Sequence, residues 1–201
     1  MRLDKYSSID PYTDNHGVLI NKLNIADEKI LEKQERNLSW FRSIELKQKP
    51  INGKFDLLHL QKIHRHLFQD IYAWAGKIRT IDISKGNSRF CNHCLIQSYC
   101  TKIAHELKKQ DFLSNLSVPE FCHQAAYFLG EYNAVHPFRE SNGRAIREML
   151  EQLAQQNGYS FHWENMTQDA MIEASEISTV KGDNTLLEIM LRKNIDKKTI
   201  S

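Results

Sequence analysis

The chain has 201 residues, 41% of them hydrophobic and 26% charged, which suits a single globular domain with one core. A formal net charge of +2 and the absence of a basic helix argue against a nucleic-acid partner. No apolar run approaches the roughly 18 residues needed to cross a bilayer, and the opening Met1–Ser8 is polar, without the apolar stretch of a secretory signal. The expected setting is the cytoplasm, away from membranes.

Four prolines, eight glycines and long stretches of 3.6-residue periodicity predict an all-α domain. A first helix is expected over 27–48, from Asp27 to just before Pro50. A second is expected over 56–74, capped by Asp56, with Leu60, Ile63, Leu67, Ile71 and Trp74 on one stripe. Over 77–91 the pattern changes: Ile78, Ile81 and Ile83 alternate with polar residues, and Lys85-Gly86-Asn87 is a turn signal. A short β-hairpin is predicted there. Helix returns over 95–110. Ser117 and Glu120 form a capping box that opens a helix burying Phe121, Ala125, Phe128, Leu129 and Tyr132. Pro137 stops it. A further helix opens near Gly143, buries Ile146, Leu150 and Leu153, and ends at Gly158; two shorter ones follow near 167–177 and 184–194.

The cysteines are Cys91, Cys94, Cys100 and Cys122. Without an export signal they are expected to be reduced thiols. Cys91 and Cys94 have C-x-x-C spacing, but no second pair completes a zinc site.

The informative segment is His136-Pro-Phe-Arg-Glu-Ser-Asn-Gly-Arg-Ala-Ile-Arg147. One helix ends at a histidine and another begins at Gly143. The backbone amides of Ser141, Asn142 and Gly143 lie ahead of a helix N-terminus, where unpaired N–H groups and the helix dipole favour an anion. Glycine admits close approach. Arg144 and Arg147 are three apart on the first turn and project to one side, a pairing that suits a polyphosphate. Glu140 precedes the nest and could hold Mg²⁺, which takes one or two carboxylates plus phosphate oxygens. His136 is a natural base for a hydroxyl. Singly, each residue has a structural reading: a histidine cap, a loop anchor at Phe138, a solvated ion-pair cluster. Together in twelve residues they point to one anion-handling site.

The segment closely resembles the Fic motif, H-x-F-x-[DE]-[AG]-N-[GK]-R, extended by a second arginine. Only Ser141 departs from it, where the family has Gly or Ala. Its hydroxyl either fits or crowds a phosphate oxygen, and activity is expected to survive. Ile63–Gly76 and Arg79–Gly86 are similar to the family's helix and flap, and Asp10-Pro11-Tyr12 and the length resemble the short bacterial Fic toxins.

The resemblance implies an all-α Fic fold: a helical bundle with a short β-hairpin flap, forming one domain over 1–201, with its core at about 55–194 and a helical extension at 1–54. It implies transfer of AMP from ATP to a Tyr, Ser or Thr hydroxyl of a target protein. His136 would deprotonate that hydroxyl and Glu140 would hold Mg²⁺. Ser141, Asn142 and Gly143 would cradle the α-phosphate, with Arg144 and Arg147 on the β- and γ-phosphates. The flap residues Ile81, Asp82, Ile83, Ser84, Lys85 and Gly86 would dock the target by strand addition. By analogy with the short toxins, the target would be the ATPase subunits of DNA gyrase and topoisomerase IV.

Two alternatives stand beside this reading. One is a Doc-like phosphotransferase, which has Lys where this chain has Gly143. The other is a weakly catalytic binding module, which would lack His136, Glu140 or Asn142. The family's inhibitory motif, [ST]-x-x-x-E-[GN], places a glutamate on the second arginine, here Arg147. Ser160–Asn165 fits it in letters but reads as an extended or turn segment. Thr179–Asn184 has Asp in place of Glu. The expectation is therefore a small antitoxin that supplies the inhibitory helix in trans.

Overall fold

The computed structural model describes residues 10–197; the polar start at Met1–Ser8 lies outside them. Helix α1 spans Glu28–Gln48, and Asp27 caps it by accepting from the Ile30 amide. Helix α2 spans Leu57–Phe68, capped by Asp56 through the His59 amide. Each carboxylate takes an amide that has no partner within the helix.

Helix α2 stops six residues before the predicted end at Trp74. The chain goes on through tight turns, with Ile71 N–H bonded to the Phe68 carbonyl and Ala75 N–H to that of Tyr72. Ile71 and Tyr72 remain buried all the same. The Ile71 carbonyl accepts from the Lys22 amide, so it is turned out of any helical ladder. A run of turns can bury the same apolar residues as a helix, and periodicity does not separate the two.

The predicted hairpin is shorter than expected. Strands β1 (Ser84–Lys85) and β2 (Ser88–Arg89) pair antiparallel at two register positions, around Gly86-Asn87. Gly86 takes φ +58°, which suits a residue without a Cβ. Helix α3 (Ile96–Lys109) follows.

Helix α4 (Val118–Val135) is the centre of the core and touches α3, α5 (Asn142–Gln156), α6 (Gln168–Lys181) and α7 (Thr185–Lys193). Its capping box is formed, with the Ser117 amide 2.9 Å from a Glu120 carboxylate oxygen. Phe121, Ala125, Phe128, Leu129 and Tyr132 are all buried, as predicted. One sheet was not foreseen. Strand β3 (Tyr159–Phe161) pairs antiparallel with β4 (Ile195–Lys197). The result is the expected helical bundle with small two-stranded sheets. Among the described residues, no helix is long and apolar enough to cross a membrane, and all four cysteines are free.

Candidate active site

The site begins where α4 ends. His136 takes the left-handed conformation (φ 49°, ψ 64°), which costs a non-glycine residue about 1–2 kcal/mol. Arg79, only 1% exposed, holds the chain there. Its guanidinium donates to the carbonyls of His136 (2.8 Å), Val135 (3.2 Å), Ile81 (2.6 Å) and Cys91. Its amide donates to the Pro137 carbonyl at 2.9 Å. One buried cation thus ties the end of α4 to the base of the flap.

The His136 ring stacks on Phe90, with centroids 3.8 Å apart and planes 13° from parallel. Its Nδ1 lies 3.1 Å from the Asn133 carbonyl, which can only accept. Nδ1 therefore carries the proton and Nε2 presents the lone pair. Burial, with Lys85 and Arg79 nearby, pushes the pKa down to about 4. The imidazole is therefore neutral at physiological pH.

The loop after it is held from several sides. Phe138 is fully buried and packs against the His64 ring, with centroids 3.9 Å apart and planes tilted by 31°. His64 Nδ1 accepts from the Gly76 amide (2.9 Å), so Nε2–H donates to the Glu140 carbonyl (3.1 Å). Burial lowers the His64 pKa to about 3, which fits this neutral relay. The Asn142 side chain closes the loop on itself, accepting from the Phe138 amide at 2.8 Å and donating to the Phe138 carbonyl at 2.9 Å. Arg139 is paired with Asp10 at 2.7 Å.

Ser141 is also left-handed, with φ 64°. Its amide is not free, contrary to the expected nest: it donates to the Glu140 carboxylate at 3.1 Å. The amides of Asn142, Gly143 and Arg144 open helix α5 and have no intrahelical acceptor, the first helical bond being from the Ala145 amide to the Ser141 carbonyl. The Asn142 side chain is likewise spent on the loop, leaving its backbone N–H toward a ligand.

The two arginines do not form one matched pair. Arg144 turns toward α1, where it meets Glu35 and Ser39. Arg147 folds back over the start of α5. A Cβ placed on Gly143 would lie 3.2 Å from its Nη1. Glycine here leaves room for the guanidinium beside the open amides. Burial and the Arg144 charge lower the Arg147 pKa to about 10, and no acidic side chain pairs with it among the described residues.

In the flap, Ser84, Lys85 and Gly86 are exposed and Ile81 and Ile83 half-buried. Asp82 is exposed as well, but its carboxylate is already engaged. It accepts from the His93 amide (2.7 Å), His93 Nδ1 (2.9 Å) and Asn92 Nδ2 (2.9 Å). It fastens the flap to the turn before α3, so it is not free to meet a target.

A match to the Fic/DOC family spans residues 54–154, which includes the whole loop from His136 to Arg147. The chain belongs to the Fic/DOC family. Among curated Fic/DOC relatives, protein adenylyltransferase VbhT of Bartonella schoenbuchensis is 43% identical over 96% of this chain, which spans 41% of that longer protein. The Escherichia coli K12 protein named "Probable protein adenylyltransferase Fic" is 32% identical over 94% of this chain and 93% of its own length. Among solved structures, the N-terminal Fic domain of a VirB-translocated Bep effector protein from Bartonella quintana, with bound ADP, superposes with a TM-score of 0.89. It is 24% identical and the match covers 94% of this chain and 95% of that one. The BepC protein of Bartonella tribocorum with bound AMPPNP also gives 0.89, at 22% identity, covering 93% and 96%. These two share the fold.

Neither near-match to the inhibitory motif reaches Arg147. Ser160 lies on β3 and donates to Glu151, and Glu164 pairs with His162. Asp183 caps the Thr185 amide. Reading the motif alone misses Glu35, Tyr72, Asp10 and the burial of Arg79. One signal was available: Glu35 and Ser39 sit on the buried stripe of α1, with Leu31 and Leu46. Polar residues at that spacing on an inner face call for buried partners.

Proposed function

We propose that this chain transfers AMP from ATP to a hydroxyl side chain of a target protein. The observation that carries the reading is the arrangement of the loop: a neutral histidine with its Nε2 free, an open helix N-terminus and an unpaired arginine, within twelve residues. His136 takes the hydroxyl proton. The first α5 amides, at Asn142 and Gly143, meet the α-phosphate, where negative charge grows in the transition state. Arg147, with Arg144 beside it, holds the β- and γ-phosphates. The naming of VbhT and the E. coli relative as adenylyltransferases supports the same reaction.

Glu140 suits Mg²⁺. Its carboxylate is 39% exposed, one oxygen accepts from Ser141 N–H, and no cluster of three or more ligating side chains surrounds it among the described residues. A lone carboxylate beside a triphosphate is a donor set that Mg²⁺ accepts, completing its shell with phosphate oxygens and water. When bound, the ion would neutralise charge on the phosphates.

The exposed flap edge at Ser84–Gly86 presents backbone to an extended target segment. The likeness to short Fic toxins supports a cytoplasmic toxin acting on the ATPase subunits of DNA gyrase and topoisomerase IV. The unpaired Arg147 supports restraint by a separate antitoxin carrying a glutamate. The test is incubation of the purified chain with a cell lysate and α-labelled ATP. Label should enter a protein band with the wild type and not with His136→Ala. Adding gyrase and topoisomerase subunits singly identifies the target, and absence of label in either would remove that assignment.

A further inference from the structure

Glu35 is a carboxylate on the N-terminal helix, far outside the motif, yet it is 7% exposed and fully engaged at the anion loop. Its Oε1 accepts from the Ser141 hydroxyl at 2.9 Å and from Arg144 Nη2. Its Oε2 accepts from the Tyr72 hydroxyl. Arg144 is fixed by more than this one partner. Its Nη1 donates to Ser39 Oγ at 2.8 Å, its Nη2 also reaches Ser141 Oγ at 2.9 Å, and its guanidinium lies 4.9 Å over the Phe68 ring. The Arg144 side chain still keeps 30% of its surface open.

We propose that Glu35 is a positioning residue for the transfer reaction. It sets the direction in which Arg144 meets the departing pyrophosphate and holds Ser141 in the left-handed turn that opens α5. The assignment rests on the AMP-transfer reading.

A buried carboxylate is retained at little net cost only when it is paired and hydrogen-bonded, and both oxygens of Glu35 are. The left-handed turn at a residue with a Cβ needs outside support, and the Ser141 hydroxyl receives it from Glu35. This accounts for the departure from Gly or Ala at 141. The hydroxyl points to the carboxylate of α1 and is a partner for Glu35 rather than an obstruction to phosphate. Loss of the Glu35 charge has two opposed effects on ATP binding: one anion fewer near the triphosphate, and an arginine no longer aimed. In the transition state, where charge grows on the leaving pyrophosphate, the aim of Arg144 is the larger of the two. A misplacement of about 1 Å in such a group can slow a reaction by about a hundredfold, and an interaction made only in the transition state appears in kcat and not in binding.

The experiment compares the wild type with Glu35→Gln, Ser141→Ala and the double variant. It measures ATP affinity by calorimetry, thermal stability, and the rate of AMP transfer to a lysate target at saturating ATP. Glu35→Gln should slow transfer by about ten- to a hundredfold with ATP affinity little changed. Ser141→Ala should slow it less, and the double variant should be no slower than Glu35→Gln. A Glu35→Gln chain that transfers at the wild-type rate, or faster, overturns the assignment, as does full additivity of the two substitutions. Should Glu35→Gln fail to fold, Ser141→Ala decides: slowed transfer with unchanged ATP affinity supports the assignment and an unchanged rate overturns it. A wild type that binds ATP but transfers nothing overturns the activity reading and this assignment together, whereas a transferring wild type matched by Glu35→Gln overturns the assignment alone.

Discussion

Around His136–Arg147 nearly every polar side chain has a partner inside the protein, while the flap pairs its strands at only two register positions and leaves Ser84–Gly86 in solvent. The loop is locked by Asn142, His64, Arg79, Asp10 and Glu35, drawn from five places in the chain. The flap is held at its base by Arg79 and Asp82 and at its turn by Asn87, whose side-chain amide donates to Glu176 of α6 at 2.8 Å. The contrast matches two different tasks. Charge building on a phosphate needs donors fixed in advance. Backbone docking of varied targets needs an unpaired edge and little else. The loop should therefore control chemistry and the flap should control which protein is modified.

The largest effect expected from breaking this division is at His136. His136→Ala should cut transfer by about 10²–10⁴ and leave ATP binding near the wild-type level, read by calorimetry beside the labelling assay. Near-full activity at equal expression would remove the base from the mechanism. Next is the flap. Ile83→Pro removes a backbone donor beside the short ladder and should lower target labelling. ATP affinity should be spared, and an equal loss of it would contradict a separate docking role.

A smaller effect concerns pH. Burial holds the His136 pKa near about 4, against an ordinary value of 6.5. The rate kcat/KM should stay flat from pH 7 to about pH 5 and fall only as the folded pKa is approached. Stability behaves differently. The unfolded chain takes up a proton near 6.5 and the folded chain does not, so stability falls as pH drops below 6.5 and the loss continues to about 4. A fall in rate centred near 6.5, in protein that stays folded, would show that His136 is not the neutral group described. The smallest effect is expected at Glu164. Glu164→Gly should leave self-modification unchanged, because its carboxylate meets His162 and not Arg147; a large rise would make the segment 160–165 a brake.

Legibility in the sequence follows the same division. The loop was readable because its chemistry is contiguous: a histidine, an acid, a turn and two arginines at fixed spacing. The helices were readable from caps and periodicity, and α1, α4 and α5 begin within a residue or so of where Asp27, Ser117 and Gly143 put them. What supports the loop was not, since Glu35 lies about a hundred residues before Ser141 in the chain and Asp10 further still from Arg139. The end of α2 was overrun because turns can bury Ile71 and Tyr72 as well as a helix can. The arginines were read as equals by their spacing, and only the fold separates them: Arg144 goes to Glu35, and Arg147 to the space left by Gly143.

The division between the two arginines bears on which phosphate is transferred. On the proposed reading, Arg147 beside the open amides would hold the outer phosphates and leave the α-phosphate for attack. The decisive measurement is parallel labelling of a target-containing lysate with α-labelled and γ-labelled ATP, using wild type and His136→Ala. Label carried into protein from the α position alone, and lost in His136→Ala, is the predicted result. Label carried from the γ position would mean that the nucleotide lies the other way and that the chain transfers phosphate, contradicting the account.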